Sequence, residues 1–220
     1  MNTKAITLLK EDVLSLGRMV DRTVEEMARL LQKSNQASLS FVEGQEVEIN
    51  QHYQEIEEKC LDLLLEKDLL DARQIRTVFC STIIAAKLER MADHANRVAR
   101  LATWAAEEKI EIPKELADMA AVVHRMVQDV LLGFVEDSPD KALEVMKRDS
   151  EVDFLHDFLS KKLLSDLGEQ EAARAQMRAQ FLFCARFIER MGDACTSIAK
   201  RIYFIATGER LKPGATRVNS

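Results

Sequence analysis

One six-residue pattern, written twice at a separation of 100 positions, limits what this chain can become. Leu88-Glu89-Arg90-Met91-Ala92-Asp93 returns as Ile188-Glu189-Arg190-Met191-Gly192-Asp193, and Val98-Ala99-Arg100 returns in step as Ile198-Ala199-Lys200. Upstream of each copy, Glu46-x-x-Ile49-Asn50 answers to Asp149-x-x-Val152-Asp153. Tyr53, Ile56 and Leu61 answer in the same order to His156, Leu159 and Leu164. A pattern repeated at matching places in each half marks a duplicated supersecondary unit.

The unit is helical. Ile6, Leu9, Val13, Leu16, Val20, Val24, Met27 and Leu31 recur at three- and four-residue steps and form one continuous stripe. With only 7 Gly and 3 Pro in 220 residues, and 31% charged side chains beside 47% hydrophobic ones, the composition suits long helices. After a bend over 34–44, a second helix is expected from Gln45 to Lys67 and a third from Ala72 to about Glu108. Pro113 suits the first turn of the fourth helix, where its missing N–H is not needed. Ser138 and Pro139 read as N-cap and first helical residue of a fifth helix, which Gly168 ends. A sixth runs from Glu171 to about Ala206, closed by Gly208. The expected fold is therefore all-α, two tandem three-helix bundles related by internal duplication. The first bundle takes 1–110, the second 111–208, and 209–220 form a flexible tail.

Charge and cysteine usage narrow the function. A net charge of −6 offers no basic stripe for replacing counterions along nucleic acid. Cys60, Cys80, Cys184 and Cys195 lack C-x-x-C spacing and fall in apolar helical runs, where a thiol acts as a small hydrophobe. Neither a signal peptide nor an apolar run of about 20 residues is present, so a cytoplasmic location is expected, with membranes met only through partners.

Residues four apart share a helix face, so Glu89 points with Asp93 and Glu189 with Asp193. Like charges at that spacing destabilise a helix by about 0.2–0.5 kcal/mol. If helices two and three form an antiparallel hairpin about Leu69-Leu70, Glu46 lies level with Asp93 and Asn50 with Glu89. In the second unit a turn near Glu171 sets Asp149 level with Asp193 and Asp153 with Glu189. Oxygens from helices about 8–10 Å apart can converge on a hard cation such as Mg, Ca, Mn or Fe. The bland alternative, a solvated face on a metal-free helical scaffold, stays open.

A second alternative is a ferritin-like di-metal helical-bundle enzyme. That chemistry needs acid-x-x-His twice, and Asp153-x-x-His156 occurs without a second copy. The remaining histidines, His52, His94 and His124, have no such spacing. Phosphate loops, nucleophile elbows and nucleophile–base pairs are missing too, so the chain does not read as an enzyme.

These residues carry a family resemblance. The two motifs, their Glu-Ile-Asn and Glu-Val-Asp partners and the late Ile202-Tyr203-Phe204-Ile205-Ala206-Thr207-Gly208-Glu209 resemble the PhoU family from about Leu8 to Glu209. The resemblance implies a cytoplasmic homodimer that negatively regulates the phosphate-starvation response. It implies two partners, the ATPase component of a phosphate ABC transporter and a sensor histidine kinase. It also implies iron or another divalent or trivalent metal on the acidic faces. By position the metal residues are Glu46, Asn50, Glu89 and Asp93 in the first unit, and Asp149, Asp153, Glu189 and Asp193 in the second. Four carboxylates in the second face, against three and an amide in the first, make the second the tighter site.

Overall fold

The computed structural model describes residues 2–33, 37–65, 70–165 and 172–211. Six helices run in order: α1 Asn2–Leu31, α2 Leu39–Leu65, α3 Ala72–Glu107, α4 Lys114–Val135, α5 Pro139–Ser165 and α6 Ala172–Thr207. Among the described residues there are no strands, so the all-α expectation holds.

The apolar stripe read from α1 is the core of the first unit. From Leu9 to Leu31 each of its residues is at most 3% exposed. Shifted by 103 positions, Ile112 just ahead of α4 and Leu116, Met119, Val123, Val127, Val130 and Phe134 within it are buried at the same places. α2 buries Val42, Ile49, Ile56 and Cys60, and α5 answers with Val145, Val152, Leu159 and Leu163. Shifted by 100, Leu88, Met91, Val98 and Ala99 of α3 match Ile188, Met191, Ile198 and Ala199 of α6. One packing pattern is built twice. Each such Leu, Ile or Met contributes about 1.5–3 kcal/mol by leaving water.

Within each half the three helices pack on one another. α1 also lies against α4, and α3 against α6, so all the buried residues join a single core. Gly17 lets α1 approach α4 closely, because a Cβ there would stand 2.3 Å from Leu131 Cδ2. Ion pairs follow the duplication as well. Lys59 of α2 reaches Asp12 of α1, and 103 positions on Lys162 of α5 reaches Glu115 of α4 at 2.7 Å. Asp137, after α4, fastens the halves together by bonding Lys10 of α1 at 2.8 Å and Arg73 of α3 at 3.2 Å.

Helix ends follow local chemistry. Asp71 accepts from the Gln74 N–H at 2.8 Å while its own N–H donates to Gln74 Oε1 at 3.0 Å, a reciprocal capping box. Ser138 Oγ accepts from the Lys141 N–H at 3.3 Å, as an N-cap should. Gly208 closes α6 at φ +78°, its N–H donating to Phe204 O at 2.9 Å. Two boundaries differ from expectation. α2 begins at Leu39, because Ser38 Oγ accepts from the Phe41 N–H at 3.2 Å and Val42 is buried, so Gly44 lies inside the helix and not in a bend. Pro113 precedes α4 as its cap, with ψ 128°, a conformation outside the helical region. The expected stop at Gly168, the helix ends at Lys67 and Leu167, the start at Glu171 and the tail beyond Leu211 lie outside the described residues.

Candidate metal faces

The two hairpins bring the acidic residues together much as the register argument requires. In the second unit Asp149 and Asp153, one turn apart on α5, face Glu189 and Asp193 of α6. Asp149 feels the most. Burial first, then the charges of Asp153, Asp193 and Glu189, push its carboxyl up to about 7, with only Lys200 opposing. Asp153 is raised by burial, then by Asp193 and Asp157. Glu189 is raised by burial and then by Asp193, although Arg186 holds its Oε1 at 2.5 Å. The other oxygen, Glu189 Oε2, is buried and has no hydrogen-bond partner. A glycine makes the close approach possible: a Cβ on Gly192 would stand 3.2 Å from Asp149 Oδ1.

The first face is built from the matching positions and behaves differently. Glu89 is raised by burial, then by Asp93, with Glu46 adding and Arg90 opposing. Here, however, nitrogen donors already meet the acids. Asn96, 5% exposed, donates through Nδ2 to Glu46 Oε2. Arg100 Nε donates to Asn96 Oδ1 at 3.1 Å while its Nη2 pairs with Glu43 at 3.2 Å. Arg97 stands 3.7 Å from Asp93. Ala92 takes the place of Gly192, and Asn50 remains exposed on α2.

Seven of the eight expected residues are thus tied electrostatically to the two faces, with Asn50 placed only as an exposed residue of α2, and three nitrogen donors that shape the first face were not expected from the sequence. Asn96 satisfies Glu46, Arg97 stands near Asp93 and Arg100 braces Asn96, so the first face is partly compensated while Glu89 stays raised. Their counterparts Thr196, Ser197 and Lys200 leave the second face largely uncompensated, and Thr196 Oγ1 donates instead to the Asp193 carbonyl at 2.9 Å. His156, which the sequence offers only as a single acid-x-x-His copy, lies near enough to Asp153 and Glu189 to lower both. Asp153-x-x-His156 spacing was the available signal.

Chemically, the second face is a set of hard oxygen donors whose mutual repulsion a cation would relieve. Among the described residues, no group of three or more His, Cys, Asp or Glu side chains is arranged to hold an ion. A cation would have to draw these carboxylates inward by side-chain rotation. The donor chemistry and the orphaned Glu189 Oε2 fit such an ion; the present rotamers do not yet enclose one.

The PhoU domain model matches residues 13–102 and again residues 116–202, one match for each half. The chain belongs to the PhoU family. A relative from Clostridium acetobutylicum, described as a phosphate-specific transport system accessory protein PhoU homolog, is 29% identical over 204 residues, covering 92% of this chain and 93% of that one. A homolog of the same description from Zymomonas mobilis is 30% identical over 211 residues, covering 95% and 87%. The crystal structure of PhoU from Pseudomonas aeruginosa superimposes with a TM-score of 0.88 at 24% identity, covering 95% of this chain and all of that one. That of the phosphate transport system regulatory protein PhoU from Streptococcus pneumoniae gives 0.85 at 24% identity, covering 96% of this chain and all of that one. These structures share the six-helix fold. Among the described residues no helix is long and apolar enough to cross a membrane.

Proposed function

We propose that this PhoU-family chain is a non-enzymatic regulator that represses phosphate-starvation signalling by protein contact. It would stand in the cytoplasm between the ATPase component of a phosphate ABC transporter and a sensor histidine kinase, working as a homodimer. The observation that carries the reading is the family match to both halves, with relatives of similar length named as accessory proteins of phosphate-specific transport. The accessory role in phosphate transport follows from the family; the partners and the direction of the signal are the proposal.

Surface chemistry supports contact with another protein. Phe154 and Phe158, one turn apart on α5, are 69% and 50% exposed, and Phe154 directly follows Asp153 of the second acidic face. Two phenylalanines so exposed are the kind of aromatic anchor on which interfaces depend. In this reading the second face holds a hard cation through Asp149, Asp153, Glu189 and Asp193. Those four residues would hold α5, with its phenylalanines, against α6 once a bound cation offset their mutual repulsion.

Deleting the gene and measuring phosphate-responsive transcription in abundant phosphate tests the regulatory reading. Transcription is expected to rise to the starved level; unchanged repression would overturn it. Metal content of purified protein, compared with Glu189→Ala/Asp193→Ala and Glu89→Ala/Asp93→Ala variants, tests the faces. Metal is expected to fall chiefly in the first of these, and equal content in all three proteins would remove the metal from the proposal.

A further inference from the structure

Where α3 crosses α6, a groove of about 510 Å³ opens between the two halves. Its walls come from the side of each motif that the acidic faces do not use. Position i+1 of the motif points about 100° away from the Glu, so Arg90 and Arg190 turn out of the acidic faces and toward the seam. They occupy equivalent places in the duplicated halves and line the groove together with Lys87 and Arg97. Against these four cations stand Asp93 and Asp193, at the edges shared with the acidic faces. Among the described residues, Lys87, Arg90 and Arg190 have no carboxylate within ion-pair distance and no hydrogen bond, and Arg97 has only Asp93 at 3.7 Å.

The floor is ordered and aromatic. His94 stacks on Phe187 with ring centroids 5.3 Å apart and planes at 26°, and the Arg97 guanidinium lies 5.6 Å from the same ring centre. Burial, then the neighbouring Arg190, keep the His94 imidazole below its ordinary pKa, with Arg97 and Arg90 adding and Asp93 opposing. Its Nδ1 is buried without a partner. The groove thus places an unpartnered ring nitrogen beside the Arg90, Arg97 and Arg190 guanidinium groups.

We propose that this groove binds a small molecule carrying two or more phosphoryl groups, gripped between Arg90 and Arg190. Guanidinium forks match phosphoryl oxygens with paired hydrogen bonds, and the two of Arg90 and Arg190 that line this groove make no hydrogen bond or ion pair among the described residues. One orthophosphate could engage both forks but would leave Lys87 and Arg97 facing solvent. The volume lies within the range of about 300–1,000 Å³ typical of organic ligands and exceeds the needs of a single small ion. A polyvalent chain can engage all four cations, which outnumber the Asp93 and Asp193 carboxylates of the same groove. The proposal is independent of the regulatory reading, since it concerns binding by the isolated protein.

Isothermal titration of the full chain with pyrophosphate, tripolyphosphate and ATP tests it, with orthophosphate, sulfate and citrate as comparisons. Pyrophosphate and tripolyphosphate are expected to bind about tenfold or more tightly than orthophosphate or sulfate. Arg90→Gln/Arg190→Gln should abolish saturable binding, while Arg125→Gln, on α4 outside the groove, should leave it unchanged. Tighter binding of ATP than of tripolyphosphate would assign a nucleotide resting on the Phe187 floor. Equal affinity would assign the phosphate chain alone, and both results support the groove. Three outcomes overturn the proposal: no saturable binding of any of the three phosphoryl ligands, undiminished binding by the double variant, or citrate binding as tightly as pyrophosphate. Because the variant could lose its fold, the wild-type His94 ring resonances provide a second reading. Pyrophosphate should shift them, and unmoved resonances at saturating ligand would equally overturn the idea.

Discussion

Replacing Asp149 by asparagine removes the charge that the second face tolerates least. In the fold this carboxyl is pushed from 3.8 up to about 7, by burial first and then by Asp153, Asp193 and Glu189. One pKa unit is worth about 1.36 kcal/mol, so the full displacement amounts to roughly 4 kcal/mol. The side chain is only partly buried and its neighbours face water, so screening reduces this to roughly 2 kcal/mol. The folded pKa lies above the unfolded one, so the folded state binds this proton more tightly. The stability it provides is complete below about pH 4 and disappears as pH rises through about 7. The asparagine amide would keep the shape beside Gly192 and carry no charge at any pH.

Urea unfolding in chelator at a series of pH values from 5 to 8 measures the effect. The wild type is expected to lose stability across that window. Asp149→Asn should be the more stable protein at pH 8 by roughly 2 kcal/mol, equivalent to about 4–8 °C in Tm for a chain of this size. A smaller slope should persist in the variant, because Asp153 and Glu189 are raised in the same direction. Added Mn²⁺ should then stabilise the wild type more than the variant. Equal stabilities at pH 8 in chelator, or a variant that is less stable there, would refute the account of the second face as a cluster of uncompensated charge.

Other consequences follow from single contacts. Glu115 is 4% exposed; burial raises its pKa, but the Lys162 hydrogen bond and charge prevail and hold it below the ordinary range. Lys162→Ala should therefore cost about 1–3 kcal/mol at pH 7 by chemical denaturation, with Glu115→Gln/Lys162→Ala recovering part of the loss. Burial pushes the Cys184 thiol up to about 12 and raises Cys60, Cys80 and Cys195 too. A thiol reagent should thus label the native protein slowly and all four sites quickly in guanidinium; fast native labelling would contradict the packing. Ser197→Arg copies Arg97 of the first unit and should pair with Asp193, a charge that raises Asp149, Asp153 and Glu189 alike. It should flatten the pH profile and weaken metal binding, and an unchanged profile would argue against that pairing. Phe154→Ala/Phe158→Ala should leave Tm within a few degrees and abolish capture of the kinase or transporter component.

The parts of this molecule that repeat locally were legible in the sequence. Apolar residues at helical spacing marked the buried face of α1, and equal distances from the hairpin turn placed Asp149 and Asp153 opposite Glu189 and Asp193. The less legible parts depend on how far a side chain reaches and which helix lies beyond it. Asn96 sits three residues after Asp93, yet its amide crosses to Glu46 on α2, and no spacing rule on α3 alone reports that. The start of α2 was misplaced because Gly44 weakens a helix locally, whereas the Ser38 cap and burial of Val42 decide where this one begins. The Lys59–Asp12 and Lys162–Glu115 pairs were visible as a shared separation of 47 positions, but only once α1 and α2 were known to be neighbours.

The duplication explains why the two faces differ in kind and not only in strength. Positions pointing into the core tolerate little change, since a missing methylene group leaves a void, and there the halves still match. Positions around each motif differ together between the halves, even where, as at Ala92, Asn96 and Thr196, they are buried. Arg97 and Asn96 stand where the second unit has Ser197 and Thr196, and Ala92 stands where it has Gly192. The same substitutions act twice. In the first unit they bring nitrogen donors to the acids and so weaken the electrostatic reason for a cation. Arg97 also faces the seam, beside the His94 and Lys87 that replace Ala194 and Phe187 of the other half, and so gives the groove its positive surplus. Divergence within one repeat thus leaves one face suited to a cation and a seam suited to an anion, sharing Asp193 between them.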